Sequence, residues 1–133
     1  MEYVGSSAIE DLLQQDVPET IQLCLEAQIR LWVLTGDKQE TAIEIGKSCN
    51  LINEQEMKLY ILSVTDSDGN ADQRLFKEKL HEAIMDKCDK PKKSIVIDGA
   101  SLACALKDSA TQEKFYHFGC SASSVICCRV SPK

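Results

Sequence analysis

The feature that most constrains the fold is a run of four apolar residues, Leu31 to Leu34, which ends at Thr35-Gly36-Asp37. Four consecutive apolar residues cannot alternate between a buried and a solvated side, so the run predicts a strand covered on both faces, as in parallel α/β sheets. Apolar positions after the triplet recur at helical spacing. The pattern therefore predicts a strand, a short loop and a helix, with Thr35 at the carboxyl end of the strand.

The Thr35-Gly36-Asp37 triplet is a candidate ligand site, because ligands of open α/β sheets bind beyond the carboxyl ends of the strands. A purely structural interpretation is also available, since Asp37 could cap the following helix and Glu40 could complete a capping box. By average residue usage, the triplet should occur by chance in roughly one chain of this length in thirty. Its context, more than the triplet itself, favours a functional role.

Composition limits the classes of partner. The 133 residues suit one domain, and 21 acidic against 15 basic residues give a formal net charge of -6. Without a basic stripe, this charge argues against nucleic acid or an anionic membrane surface as the direct partner. No apolar run approaches the roughly 20 residues of a membrane span, and the first residues lack a signal-peptide pattern. We expect the chain itself to be soluble.

The seven cysteines are odd in number, form no C-x-x-C pair and mostly lie within apolar segments. This usage is typical of buried thiols in a reducing compartment rather than of a disulfide scaffold or a zinc site. Cys127 and Cys128 are adjacent in a predicted strand, so their side chains should point to opposite faces of the sheet. We predict no metal site in this sequence.

The rest of the chain alternates between the two periodicities. Strands are predicted at 3–9, 60–64, 94–97 and 124–130, helices at about 17–28, 38–49, 72–87, 101–107 and 111–117, and a turn at 65–70. The first helix should be capped by Asp16 and Glu19 and should place an apolar stripe against the sheet. This order of elements predicts a three-layer α/β sheet with helices on both faces.

Two further strand ends carry polar residues. The strand predicted at 94–97 is followed by Asp98-Gly99, which we interpret as a turn and helix start rather than as a catalytic carboxylate. Arg129 follows the last strand, where a guanidinium is a natural ligand for an anion. From the residues alone, the chain is an α/β domain with a phosphate-like site formed by Thr35, Asp37 and Arg129.

Five sequence blocks, at 8–11, 17–21, 32–42, 45–49 and 125–132, add a resemblance to this interpretation. In this order they resemble the phosphorylation domain of the type IV P-type ATPases, the phospholipid flippases. The resemblance implies a haloacid-dehalogenase-like (Rossmann-like) α/β fold, incomplete because flanking strands are missing. It also implies one partial domain over 1–133, which divides into a hinge from the nucleotide-binding domain (1–16), the T-G-D core (17–52), a family-variable insertion (53–117) and a last strand (118–133).

The resemblance assigns roles to single residues. Thr35, Gly36 and Asp37 match the family's T-G-D motif, which contacts the nucleotide phosphates and the phosphorylated aspartate; Thr35 and Asp37 are the catalytic candidates. Arg129 matches a nucleotide-binding arginine.

Glu10 and Asp11 match the hinge from the nucleotide-binding domain, although Leu12 stands where many flippases have lysine. The remaining implications concern the parent protein. They are ATP and Mg²⁺ as cofactors and a phospholipid as substrate. The partners are nucleotide-binding, actuator and transmembrane domains, with room for an accessory membrane subunit, and the chain would be a cytosolic domain of a eukaryotic membrane protein.

The sequence contains neither Asp-Lys-Thr-Gly-Thr nor Gly-Asp-Gly with a following Asn-Asp, so it lacks the family's nucleophile and magnesium carboxylates. We therefore expect an excised piece that is inactive alone and binds neither cofactor tightly, with a strand at Trp32 that has lost a neighbour. Two alternatives remain open. One is a soluble haloacid-dehalogenase-like phosphatase, which needs a nucleophilic Asp-x-Asp after an apolar strand, and we assign none. The other is a non-catalytic interaction module.

Overall fold

The structure, a computed structural model, describes residues 4–8 and 12–130. In chain order the elements are α1 (Val17–Glu26), β1 (Leu31–Leu34), α2 (Gln39–Ser48), β2 (Met57–Ile61), α3 (Gln73–Met85), β3 (Lys92–Asp98), α4 (Gly99–Ala105), α5 (Ser109–Cys120) and β4 (Ser124–Cys128). The strands form one parallel sheet in the order β1-β4-β3-β2. The predicted α/β fold class is confirmed.

Buried side chains form one cluster on each face of the sheet. On one face, Ile95 and Ile97 of β3 pack with aromatic and aliphatic side chains of α3 and α5. On the other, Val96 and Ile126 pack with Ala42 of α2. Because successive strand residues point to opposite faces, the run of buried β3 residues from Ser94 to Asp98 needs both layers of helices. The predicted three-layer arrangement is therefore confirmed.

Cys127 and Cys128 are buried in opposite clusters, as predicted from their adjacency in a strand. Burial is the main cause that raises the pKa of each thiol above its ordinary value. Both thiols are therefore protonated at neutral pH and contribute to packing rather than to nucleophilic chemistry.

The strand predicted at 31–34, which is β1, lies at an edge of the described sheet. β1 pairs with β4, and Trp32 and Leu34 remain 47% and 71% exposed. The prediction that this strand is covered on both faces is therefore wrong for the described chain. Its physical reason is position, because an edge strand has a neighbour on only one side and less helix above it.

Helix α1 also departs from its prediction. It ends at Glu26, none of its residues is buried, and the predicted apolar stripe is only half-buried. Asp16 has a φ of 65° and makes no side-chain cap hydrogen bond, so the predicted capping box is wrong. Pro18 does lie in the first turn, where a missing N–H costs little.

Ala42 in helix α2 and Cys49 at its C-cap are buried, whereas Ile45 is 39% exposed. A Cβ on Gly46 would lie 2.8 Å from Cδ1 of Ile126. The absence of a side chain at Gly46 therefore allows a close approach between the helix and the sheet.

Other boundaries differ by a few residues. β2 begins three residues earlier than predicted, α4 and α5 begin two residues earlier, and the described part of the first predicted strand, 4–8, is irregular. Asp72, predicted as the first residue of this helix, is instead the N-cap of α3, and its side chain accepts hydrogen bonds from the backbone N–H groups of Arg74 and Leu75. In the described ranges, no helix combines the length and the apolarity required to cross a membrane.

Candidate functional site

Two segments from opposite ends of the chain meet at the carboxyl edge of the sheet. β1 and β4 are parallel neighbours, with Leu34 opposite Cys127. Beyond that pair, the backbone N–H of Val130 donates to the carbonyl of Thr35 (3.1 Å), and that of Arg129 donates to the carbonyl of Asp37 (3.0 Å). The residues predicted to form one site are thus brought together by main-chain hydrogen bonds.

Within the Thr35-Gly36-Asp37 loop, the two polar side chains are joined directly. The hydroxyl of Thr35 donates to Oδ2 of Asp37 over 2.7 Å, and the backbone N–H of Asp37 donates to Oγ1 of Thr35 over 3.2 Å. Asp37 is exposed and Thr35 is half-buried. The carboxylate and the amide of Asp37 therefore fix the position of the Thr35 oxygen.

The alternative structural interpretation of Asp37 is wrong. The N-cap residue of α2 is Lys38, which makes no side-chain cap hydrogen bond, and the Asp37 carboxylate bonds Thr35 instead. Glu40 lies in the first turn of the helix, where a negative charge is favourable, but no capping box forms. The local reason is that Asp37 lies one residue before the cap position.

Gly36 has neither of the usual local reasons for being glycine. Its φ is not positive, and a Cβ built there would have one neighbour, the carbonyl oxygen of Val130, at an ordinary 3.8 Å. The space in front of the loop is therefore open. A glycine in an uncrowded loop next to a hydroxyl allows a ligand to approach the backbone closely.

The exposed Arg129 side chain borders a cleft of about 350 Å³ beyond the ends of β2, β3 and β4. The other lining residues are Gln39, Glu40, Ser63, Thr65, Asp66, Ser67 and Asp98. Sequence reasoning predicted Arg129 at this edge but missed Ser63 and Thr65. The only sequence signal for those two hydroxyls is their position just after the apolar residues of β2.

Asp98 is buried, with 5% of its surface exposed, and it caps α4 by accepting a hydrogen bond of 2.8 Å from the backbone N–H of Ser101. Its own N–H donates to the hydroxyl of Ser63 over 3.0 Å. Burial is the largest influence and raises the pKa of Asp98, but the hydrogen bond from Ser101 and the nearby hydroxyls of Thr65 and Ser63 together outweigh it, so the pKa lies below its ordinary value. The interpretation of Asp98-Gly99 as a helix start is confirmed.

One Asp-x-Asp sequence does occur, contrary to our assignment, at Asp66-Ser67-Asp68. β2 ends at Ile61, so this motif does not follow its strand directly. Oδ1 of Asp66 accepts hydrogen bonds from the N–H groups of Asp68 and Asn70, inside a turn closed by the bridge between Thr65 and Ala71. The carboxylate thus organises the turn that was predicted at 65–70.

Curated relatives match this chain over nearly its whole length. Phospholipid-transporting ATPase DRS2 of Saccharomyces cerevisiae is 44% identical over 97% of the chain. Phospholipid-transporting ATPase DNF1 of Chaetomium thermophilum is 42% identical over 97%, and probable phospholipid-transporting ATPase 4 of Arabidopsis thaliana is 42% identical over 98%. The chain belongs to the phospholipid-transporting ATPase family. The family resemblance noted in the sequence is therefore confirmed.

The chain spans only 9% to 11% of the length of these phospholipid-transporting ATPases. No protein-family model matches it. The predicted hinge residues, Glu10 and Asp11, lie outside the described residues. In the part of the chain that the structure describes, no group of three or more His, Cys, Asp or Glu side chains is arranged to hold a metal ion.

Proposed function

We propose that this chain is part of the phosphorylation domain of an ATP-hydrolysing, phospholipid-translocating P-type ATPase. The observation that carries the proposal is the pair of main-chain hydrogen bonds that place Arg129 beside Asp37 and Val130 beside Thr35. These bonds join a fixed hydroxyl, a glycine with open space and a guanidinium at the carboxyl edge of a parallel sheet, where such folds bind ligands. Family membership supports the same assignment.

Phosphoryl transfer depends on positioning and on stabilisation of charge, because the phosphoryl group carries its charge on peripheral oxygens. Thr35 can donate its hydroxyl to a phosphate oxygen, while the N–H of Asp37 holds Oγ1 in place. In this role Asp37 is a positioning residue, and its carboxylate is the hydroxyl's partner until phosphate arrives. Arg129 supplies a positive charge for the nucleotide phosphates.

Mg²⁺ would neutralise phosphate charge in the parent protein, but the described residues offer no cluster of carboxylates for it. The contribution that we assign to Thr35 and Arg129 of this chain is to the phosphate. In the parent protein we place the chain on the cytosolic side of the membrane, next to nucleotide-binding, actuator and transmembrane domains. The hinge would be formed by Glu10 and Asp11, the substrate would be a phospholipid, and an accessory membrane subunit would be compatible with this arrangement.

The test is labelling with γ-phosphate-labelled ATP. The full-length protein should form an acid-stable phosphoenzyme, whereas the 133-residue chain should incorporate no label because it contains no Asp-Lys-Thr-Gly-Thr. Stoichiometric labelling of the 133-residue chain would contradict the proposed role of this segment.

Calorimetry with Mg-ATP gives a second measurement on the 133-residue chain. Only phosphate contacts are available to it, so binding should be weak or undetectable. Micromolar binding that survives Arg129→Ala would show that the phosphate site lies elsewhere.

A soluble phosphatase of the same fold is the alternative enzyme. Its nucleophile would have to be Asp66, the first residue of the Asp-x-Asp sequence, and that carboxylate is engaged in a turn. Release of inorganic phosphate from p-nitrophenyl phosphate by the 133-residue chain, abolished by Asp66→Asn, would favour this alternative. If full-length protein with Thr35→Ala or Arg129→Ala hydrolysed ATP normally, the chain would instead be a non-catalytic module.

A further inference from the structure

The backbone of Arg129 has an uncommon conformation. Its φ is 50°, in the left-handed region, which non-glycine residues seldom adopt because Cβ crowds the following carbonyl group. Such a conformation persists only where the surrounding structure fixes it. Groups packed around Arg129 must therefore hold its backbone in this conformation.

Hydrogen bonds from the Thr35-Gly36-Asp37 loop hold one side of this backbone. The N–H groups of Arg129 and Val130 donate to the carbonyls of Asp37 and Thr35. These bonds fix the two N–H groups but leave the Arg129 carbonyl, on the other side of the peptide, to be restrained by something else.

Gly99 provides that second restraint. A Cβ built on Gly99 would lie 2.8 Å from the carbonyl oxygen of Arg129 and 3.4 Å from Cγ1 of Val130. The first distance is shorter than real Cβ contacts allow, and its partner is a backbone atom rather than the movable tip of a side chain. Gly99 has no positive φ, so the need for glycine here is close approach alone.

The turn that carries Gly99 is itself anchored. Asp98 is buried, accepts a hydrogen bond from Ser101 and donates its N–H to Ser63. An added methyl group on Gly99 therefore cannot be relieved easily by movement of β3 or α4. The backbone at Arg129 would have to move instead, away from its hydrogen-bond partners in the loop.

We propose that Gly99 is a positioning residue for Arg129, and that it acts by packing the β3–α4 turn directly against the Arg129 carbonyl. This inference rests on the proposed function, in which Arg129 binds nucleotide phosphate. Gly99 touches neither substrate nor cofactor. It fixes the angle at which the Arg129 side chain enters the cleft that it shares with Asp98 and Ser63.

The test compares four variants of the full-length protein by KM for ATP, kcat and thermal unfolding: Gly99→Ala, Arg129→Ala, the double variant, and Gly46→Ala. Loss of one charge-assisted phosphate contact should raise KM about tenfold or more. Gly99→Ala should therefore raise KM about tenfold with a smaller change in kcat. The double variant should be no worse than Arg129→Ala alone, since a residue that acts through Arg129 has no effect once the guanidinium is gone.

Gly46→Ala is the matched control for stability. Its added Cβ would also meet neighbours closer than 3.0 Å, but these are the side-chain tips of Ile126 and Ile52. It should lower the unfolding temperature and leave KM unchanged. An equal rise of KM in this control would overturn the proposal, because the effect would then come from general destabilisation.

The remaining outcomes distinguish the phosphate-binding role of Arg129 from the positioning role of Gly99. If Arg129→Ala leaves KM unchanged, the assignment of Arg129 in the proposed function is wrong. If Arg129→Ala raises KM but a folded Gly99→Ala does not, or if the two effects add fully in the double variant, the role of Gly99 is wrong.

Should Gly99→Ala fail to fold, Val130→Ala provides the measurement. This substitution removes the side chain next to Gly99 without adding an atom. It should raise KM severalfold and speed amide exchange at Arg129, and no change in either quantity would overturn the proposal.

Discussion

β1 and β3 are neighbours of the same strand, β4, and each leads into a glycine next to an aspartate, yet the two aspartates are used differently. Asp98 is buried and caps the helix that follows it. Asp37 is exposed, caps nothing and fixes a hydroxyl. The same pair of residue types therefore forms a structural turn beside a buried strand and an accessible loop beside an edge strand.

The difference follows from the strands. β3 is covered on both faces, so a polar group at its end must find partners inside the protein, and Asp98 finds them in Ser101 and Ser63. β1 lies at the sheet edge, and Thr35 and Asp37 can satisfy each other without burial. The exposed Asp37 carboxylate therefore remains accessible to a ligand or to the Thr35 hydroxyl that it orients.

The largest expected effect in this comparison is on catalysis through Asp37. In the full-length protein, Asp37→Asn keeps an oxygen that can accept from Thr35 but removes the negative charge. Phosphoenzyme formation should fall on the order of 10²-fold or more, the scale of one preorganised electrostatic contact. Because Asp37 is exposed and is not the cap, the free energy of unfolding should change by a few tenths of a kcal/mol at most.

Rapid-quench labelling beside thermal unfolding measures both quantities for Asp37→Asn. Asp98→Asn, the same substitution at the buried cap of α4, is the control. It should change the unfolding temperature more than the rate of phosphoenzyme formation. A near-normal rate with an unchanged unfolding temperature for Asp37→Asn would leave Thr35 and Arg129 as the residues that support the proposed site.

The next effect concerns the strands themselves. Val96 of β3 and Val33 of β1 belong to the same face of the sheet, but Val96 is fully buried and Val33 only half-buried. Val96→Ala should lower the free energy of unfolding by about 2 kcal/mol or more, and Val33→Ala by less than about 1 kcal/mol, since the cost follows the apolar area buried and the cavity left.

Urea unfolding of the 133-residue chain measures this pair directly. Equal losses would mean that the β1 edge is covered in solution, for example by a second copy of the chain. In that case the side chains of Trp32 and Leu34, which are exposed in the structure, would be covered in solution.

The sequence predicted the sheet well but not the place of each strand within it. Alternating periodicities located the elements, and the order of apolar runs predicted three layers. Position in the sheet depends on contacts between distant residues, such as the pairing of Leu34 with Cys127, which no local pattern encodes. For this reason β1 was predicted from its composition to be covered on both faces, although it is an edge strand of the described chain.

The candidate site shows the same limit. Thr35, Asp37 and Arg129 could be predicted because polar residues at the carboxyl ends of parallel strands converge at one edge. The cap at Asp98 was also predictable, since its acceptor geometry is local. The contact of Gly99 with the Arg129 carbonyl was not, because it joins two strand ends that only the β3–β4 pairing brings together.

The smallest expected effect is the pH dependence of stability that Asp98 contributes. Its pKa in the folded protein lies below its ordinary value, because the hydrogen bonds from Ser101 and its neighbours outweigh burial. A carboxylate with a lowered folded pKa stabilises the fold above its unfolded pKa, near 4, and loses that contribution as the pH falls through the folded pKa. Asp98→Asn should therefore lower the free energy of unfolding at neutral pH, and this deficit relative to the original chain should shrink below about pH 4. Urea unfolding of both chains between pH 7 and pH 2.5 measures the difference. A deficit that stays constant over this range would show that Asp98 acts by shape and hydrogen bonding alone, and the contrast with Asp37 would then be one of burial rather than of charge.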